Sequence, residues 1–140
     1  KQEFKGQVAF VKGHPKGEEL RRILSAADIV LMPAKCESAG SLHLLAMRYG
    51  AVVVARLQGS VAADIVPVRD IDHVAHDQNG FAFAKYDSDD FYNATMDALD
   101  VLSSKAWTNL RANAMKKIAS LDDTAKDCTR VYDAIKSLQF

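Results

Sequence analysis

The sequence predicts an α/β fold in which helices flank a Rossmann-like parallel sheet. The runs DIVLMPA (28–34) and AVVVA (51–55) lack polar alternation, which is typical of strands buried on both faces of a parallel sheet. Helix patterns separate these runs, so strand and helix alternate along the chain. The chain has 140 residues, of which 49% are hydrophobic and 26% charged, and this is ordinary for one globular core. We therefore expect a single domain over residues 1–140.

The N-terminal elements are predicted to be a strand, a helix and a second strand. QVAFV at 7–11 is apolar and β-branched and lies between two glycines, which favours a strand. Residues 17–28 carry apolar side chains at helical spacing and two glutamates in the first turn, where the helix dipole favours acids. The next strand is expected near 28–33.

The middle of the chain continues this alternation. A helix is predicted from about Ser41 to Tyr49, ended by Gly50, and the strand 51–55 follows it. Residues 56–68 predict a turn and a short helix, and 69–80 a polar loop. GFAFA at 80–84 predicts the last strand, centred on 81–83.

The remainder of the chain is predicted to be helical. One helix spans 87–104 with Asp87 or Ser88 as its N-cap. Its expected apolar stripe consists of Phe91, Thr95, Ala98, Leu99 and Leu102. Two closing helices are expected over about 105–138, from Lys105 to Ser120 and from Asp122 to Leu138, with Trp107 as a packing residue. The apolar face of the last helix must pack locally, find a partner or stay exposed; it carries Val131, Ile135 and Leu138.

Composition argues against several function classes. Eighteen basic and eighteen acidic residues cancel, so long-range electrostatics favour neither a nucleic-acid nor a membrane partner. The apolar runs are far shorter than the roughly 20 residues that cross a bilayer. Cys36 and Cys128 have no metal-type spacing and are expected to be free thiols in a reducing compartment. His73 and His76 are interpreted as part of a solvated loop, and we expect no metal site.

The loop 34–41 is the candidate site. Ligands of parallel sheets bind outside the carboxyl ends of the strands, where loops lead into helices. Ala39, Gly40 and Ser41 are small enough for a phosphate to approach their backbone N–H groups. Glu37 would repel that phosphate unless a hydroxyl-rich group lies between them, and a sugar joined to a diphosphate meets this requirement. The alternative is an exposed acid beside a glycine that serves turn geometry alone.

Residues 26–55, AADIVLMPAKCESAGSLHLLAMRYGAVVVA, resemble without a gap the C-terminal domain of bacterial glycogen synthases and plant starch synthases. These are retaining glucosyltransferases of the GT-B architecture. GQVAFVKG, NGFAFAKYD and TAKDCTRVYDAI extend the resemblance over nearly the whole chain. It implies the later part of that domain, in an enzyme that extends an α-1,4-glucan from ADP-glucose or UDP-glucose without a further cofactor. It also implies the cytoplasm or the plastid stroma.

The same resemblance implies roles for individual residues. Glu37 stands where the family has a carboxylate that contacts the donor glucose. Gly40 and Ser41 stand where backbone N–H groups hold the distal phosphate. RLQGS at 56–60 corresponds to the family's Arg-Thr-Gly-Gly-Leu turn near the donor, and this places Arg56, Gln58, Gly59 and Ser60 there.

Departures from the family pattern keep a second function open. The family's Arg-Phe before the glutamate is Lys35-Cys36 here, its Pro-Cys is Ser38-Ala39, and its paired glycines are Gln58-Gly59. The resemblance also implies a preceding half-domain with a cationic clamp for the diphosphate, and a separate N-terminal domain. We therefore expect this segment alone to be inactive. The alternative is a degenerate, non-catalytic scaffold or glucan-binding module.

Overall fold

The computed structural model describes residues 6–36, 40–117 and 120–138. Helices and strands alternate through β3, and three helices follow it. The helices are α1 (Gly17–Ala26), α2 (Leu42–Arg48), α3 (Gly59–Asp64), α4 (Ser88–Leu102), α5 (Ala106–Lys116) and α6 (Leu121–Ser137). The strands are β1 (Ile29–Met32), β2 (Val52–Arg56) and β3 (Gly80–Phe83).

The three strands form one parallel sheet in the order β1-β2-β3. Ile29 lies opposite Val52, and Val53 lies opposite Gly80. The central strand is buried from Val52 to Ala55, as its unbroken apolar run predicts. A Cβ on Gly80 would lie 2.9 Å from the carbonyl oxygen of Val53, so glycine permits this close approach. The predicted α/β fold with a parallel sheet is confirmed.

Helices cover both faces of β2, because successive strand residues point to opposite sides. Val53 and Ala55 lie in a core with residues of α1, α2 and α3, among them Leu24, Met47 and Val61. On the other face, a second core is built around α4 and α5, and its buried members are Val52, Val54, Phe81, Phe83, Ala94, Ala98, Val101, Trp107 and Leu110. The predicted packing role of Trp107 is confirmed.

The strand predicted at 7–11 is wrong. Residues 6 and 7 form a turn, and residues 8–12 have no regular secondary structure. Val8, Phe10 and Val11 are exposed, Phe10 by 87%. A strand needs a neighbour that pairs with its backbone groups, and within the described ranges β1 and β3 are the sheet edges, with no strand paired to this run.

The stripe predicted for α4 is only partly right. Phe91, Ala98 and Leu102 pack in the second core, whereas Leu99 is exposed. Leu99 follows Ala98 by one residue, which is about 100° around the helix and off the contact stripe. The stripe that α4 buries consists of Ala94, Ala98 and Val101. Asp87 is the N-cap, and its carboxylate accepts hydrogen bonds from the backbone N–H groups of Asp89 (2.9 Å) and Asp90 (3.2 Å).

The closing helices differ in how they pack. α5 ends at Lys116, earlier than predicted, and buries Trp107, Leu110 and Ala114. α6 buries no residue, and Val131, Ile135 and Leu138 are all exposed. The sequence left local packing, a partner or exposure open for this apolar face, and in the described residues the face is exposed. Cys36 and Cys128 are free and exposed. None of the described helices is long and apolar enough to span a membrane.

Candidate functional site

The loops that follow β1 and β2 form the candidate site. Because the strands are parallel neighbours, both loops leave the same edge of the sheet. Gly40 and Ser41 lie at the end of the first loop, directly before α2, and Gln58, Gly59 and Ser60 lie at the start of α3. Glu37, the carboxylate assigned to the donor sugar, lies outside the described residues, as do Ser38 and Ala39.

A hydrogen bond joins the two loops directly. The Ser60 hydroxyl donates to the Gly40 carbonyl oxygen over 3.1 Å. Two of the predicted site residues from distant parts of the sequence are therefore in contact. Because the Ser60 hydroxyl donates its proton to a carbonyl oxygen of the protein, it cannot donate to a ligand at the same time. A ligand would therefore contact backbone N–H groups here.

Arg56 and Gln58 also form hydrogen bonds between these two loops. Gln58 Nε2 donates to the Ala34 carbonyl oxygen (2.9 Å), and its Oε1 accepts from Arg56 Nη1 (3.2 Å). Arg56 also donates through Nη1 to the Lys35 carbonyl oxygen (2.9 Å) and through Nε to that of Ala84 (3.2 Å). Arg56 thus bonds the loops after β1 and β3 as well as its own.

Gly59 and Ser41 have local geometries that suit a ligand approaching the backbone. Gly59 has φ +51°, a left-handed conformation that favours glycine. Ser41 is the N-cap of α2 but makes no side-chain cap bond, while its carbonyl oxygen accepts from Leu45 N (3.0 Å). Neither residue places a bulky side chain over the turn, and the first N–H groups of a helix have no partner within the helix.

An apolar groove of about 300 Å³ lies at the same edge of the sheet. The Phe83 and Phe91 rings meet with their centroids 5.3 Å apart, and the Arg56 guanidinium lies 5.5 Å from the centre of the Tyr86 ring. The groove lining consists of Pro33, Phe83, Tyr86, Asp87, Ser88 and Phe91. Arg56 therefore lies beside Tyr86, one of the residues that line this groove.

A buried histidine beneath the site was not predicted. His43 in α2 is 0% exposed, and its Nε2 lies 2.9 Å from Asp64 Oδ2 at the end of α3. Lys117 Nζ lies 3.4 Å from the other oxygen of Asp64. Spacing could have revealed it, since His43 precedes the buried Ala46 and Met47 by three and four residues and shares their helix face.

The described residues offer little support for a metal site. Within 6–36, 40–117 and 120–138, no group of three or more His, Cys, Asp and Glu residues could hold a metal ion. The chemistry that the arrangement can perform is backbone recognition of an anion by two loops of fixed spacing, beside an apolar surface. The carboxylate at position 37 follows the same strand, β1, as Gly40.

Comparisons with known proteins give a consistent picture. No protein-family model matches the chain. It is 33% identical over 115 residues to a glycogen synthase from Clostridium kluyveri, which covers 81% of this chain and 24% of that protein. It is 34% identical over 120 residues to one from Caldicellulosiruptor saccharolyticus (84% and 24%) and 31% identical over 131 residues to one from Cellvibrio japonicus (93% and 27%). The chain thus spans about a quarter of the length of the curated relatives it matches.

A solved structure is similar as well. The catalytic domain of starch synthase IV from Arabidopsis thaliana, bound to ADP and acarbose, matches with a TM-score of 0.71 at 25% identity. The match covers 86% of this chain and 25% of that chain. The expected GT-B fold relationship is confirmed by this likeness.

Proposed function

Since this chain is a homologue of the glycogen and starch synthases over about a quarter of their length, we propose that it is part of a glucosyltransferase that extends an α-1,4-glucan. The observation that carries the proposal is the 33% identity over 115 residues to the Clostridium glycogen synthase. The donor is ADP-glucose or UDP-glucose, and the transfer retains the anomeric configuration, as in the family that the chain resembles. No cofactor besides the donor is required.

The turn at Gly40 and Ser41 binds the distal phosphate of the donor through backbone N–H groups. The bond from Ser60 to the Gly40 carbonyl supports this role, because it holds the turn against α3 without using an N–H group. Gly59 exposes backbone beside it, and Gln58 and Ser60 act by shaping the loop. Preorganised N–H groups suit an anion because they need no reorganisation when it binds.

Glu37 is proposed to accept hydrogen bonds from the hydroxyl groups of the donor glucose. The proposal rests on the resemblance in 26–55 and on the order of the residues, since Glu37 lies between β1 and the Gly40 turn. The sugar would separate the carboxylate from the phosphates. Two negative groups can then share one loop without direct contact.

Catalysis is proposed to need more than this segment. The resemblance assigns a cationic clamp for the diphosphate to a preceding half-domain and the acceptor site to an N-terminal domain. Stabilisation of the developing charge on a leaving group is usually the largest catalytic contribution. The partners are therefore the nucleotide sugar, the α-glucan and that remaining part of the enzyme. Two free exposed thiols fit a reducing compartment, such as the cytoplasm or the plastid stroma.

A chimeric enzyme tests the proposal. This chain replaces the matched segment of the Clostridium glycogen synthase, and incorporation of labelled glucose into glycogen is measured from ADP-glucose and from UDP-glucose. We expect transfer from at least one donor by the chimera and none by the 140-residue chain alone. A folded chimera without transfer from either donor would overturn the catalytic proposal.

Substitution of Glu37 in the chimera tests its role. Glu37→Gln keeps the shape but removes the negative charge, and we expect kcat/KM for the donor to fall about 100-fold, as for other lost polar contacts that strengthen in the transition state. Glu18→Gln on α1 is the matched control and should leave kcat/KM unchanged. Equal activity of the Glu37 variant and the wild-type chimera would show that the assigned role is wrong.

A second candidate is a non-catalytic, glucan-binding or scaffolding module. The observation that favours it is that the Gln58 and Ser60 side chains donate to carbonyl oxygens of the loop after β1, which gives them a role in holding the loops together. Affinity electrophoresis of the chain in gels with and without amylose separates the two candidates. Retardation by amylose together with an inactive chimera would favour the module.

A further inference from the structure

Burial of the polar side chain of His43 costs desolvation free energy. The His43 side chain is fully buried beside the apolar core of α2, and its Nδ1 has no hydrogen-bond partner among the described residues. An apolar side chain of similar volume would avoid the desolvation of the imidazole. In some proteins a buried polar group specifies one arrangement of its neighbours.

The contacts of His43 identify the arrangement that it specifies. Its Nε2 bonds Asp64, the last residue of α3, while Ser60 in the first turn of α3 bonds Gly40. The six-residue helix α3 is thus fastened at both ends to the segment 40–43. Lys117, the residue directly after α5, lies 3.4 Å from Asp64, and His43 links Asp64 to α2.

We propose that His43 is a positioning residue that fixes the spacing between the turn at Gly40 and the start of α3. The inference rests on the proposed function, because these are the two loops assigned to the donor phosphate. His43 donates from Nε2–H to the Asp64 carboxylate over 2.9 Å. The link acts through the loops and has no contact with the donor.

Two substitutions of His43 separate its two ring nitrogens. The side-chain nitrogen of glutamine is as many bonds from Cβ as Nε2, so His43→Gln can keep the bond to Asp64. The side-chain nitrogen of asparagine corresponds to Nδ1, which does not bond Asp64, so His43→Asn cannot keep that bond. Val101→Ala in the second core serves as the control for general destabilisation, because Val101 lies on the other face of the sheet.

Amide hydrogen exchange of the 140-residue chain is the first measurement. In His43→Asn we expect exchange at residues 40–45 and 59–64 to accelerate about tenfold, the effect of one lost buried hydrogen bond to a charged group. His43→Gln should stay within about threefold of wild type. Similar exchange in the Asn and Gln variants, or acceleration spread over the chain as in Val101→Ala, would overturn the inference.

ADP titration of the ¹⁵N-labelled chain, followed by NMR, adds a readout that a purely structural role would not move. We expect the Kd for ADP to rise about tenfold in His43→Asn and to be restored by His43→Gln, as one charge-assisted bond predicts. Unchanged ADP affinity in His43→Asn would overturn the role in donor binding. If wild type itself does not bind ADP, the proposed phosphate site fails, and the exchange experiment alone decides whether His43 fixes the loops.

Discussion

Helices α4 and α6 are built alike and lie in opposite surroundings. They have 15 and 17 residues, and each begins with a side-chain N-cap followed by two aspartates in the first turn. α4 buries Ala94, Ala98 and Val101 against the sheet, whereas α6 buries no residue. Local signals therefore specify where a helix forms, and neighbouring elements decide whether its apolar face is covered.

The centre of the chain and its ends differ in the same way, because apolar side chains are covered in the centre and exposed at the ends. β2 has helices on both faces and loops bonded through Arg56 and Gln58. The N-terminal run with Phe10 and the helix α6 both expose apolar side chains. The candidate site lies in this central part, where hydrogen bonds join the loops after β1 and β2.

The strongest test of this comparison places the same charge in both helices. Ala98→Asp buries a carboxylate against the core, and we expect a loss of about 4 kcal/mol or more, enough to unfold the chain. Ala134→Asp makes the same exchange on the exposed α6, and it should cost about 0.5 kcal/mol, the difference in helix propensity. Urea unfolding followed by Trp107 fluorescence measures the effect of Ala98→Asp, because the only tryptophan lies in the second core, and circular dichroism measures the loss of helix in Ala134→Asp.

Valine truncation is expected to differ in sign between the helices. Val101→Ala removes two buried methyl groups and leaves a cavity, for a cost of about 2 kcal/mol. Val131→Ala removes the same groups from an exposed position, and alanine is the better helix former by roughly half a kcal/mol. We therefore expect greater helicity of α6 by circular dichroism. A loss of stability at both positions would mean that α6 is packed in solution.

N-cap removal distinguishes a cooperative helix from an independent one. Asp87→Ala breaks two bonds to backbone N–H groups and should lower the free energy of unfolding by about 1 kcal/mol. Ser120→Ala breaks the bond to Asp123 N, and the loss, also about 1 kcal/mol, should fall on α6 alone. Circular dichroism should then detect a change that Trp107 fluorescence does not. Coincident transitions by both probes would contradict the independence of α6.

The sequence predicted the interior of the fold better than its edges. The run AVVVA is apolar on both faces, and only a covered central strand satisfies it, so β2 could be identified locally. QVAFV is also mostly apolar, but no strand pairs with it in the described ranges, and pairing is a property of the neighbour. Leu99 lies one position after Ala98, and the sequence does not allow a helix stripe to be assigned to within one residue.

The position of the site could be predicted from the sequence, but most of its side-chain contacts could not. Parallel strands bring their carboxyl-end loops together, so Gly40 and Ser60 could be expected near each other. The use of Ser60 and Gln58 for bonds between loops depends on side-chain directions that no spacing encodes. The predicted helix from Ser41 to Tyr49 contains His43, but its burial depends on Asp64, a partner in another helix at 2.9 Å.

Arginine-to-lysine exchange gives the smallest expected effect and the most specific one. Arg56→Lys keeps the charge but cannot reach Lys35, Ala84 and Gln58 with one ammonium group, because the guanidinium offers several donors in a rigid fork. These bonds are near solvent, so the expected loss is about 1 kcal/mol. Arg130→Lys on α6 breaks only an exposed pair with Asp127 and should cost less than about 0.5 kcal/mol.

The two exchanges also differ in where their effects fall. Amide exchange in Arg56→Lys should accelerate at 34–36 and 84–86, the loops that the guanidinium bonds, while α4 and α5 stay protected. In Arg130→Lys no loop at the edge of the sheet should change. If Arg56→Lys left both loops as protected as in wild type, the central role given to Arg56 in holding them would be wrong.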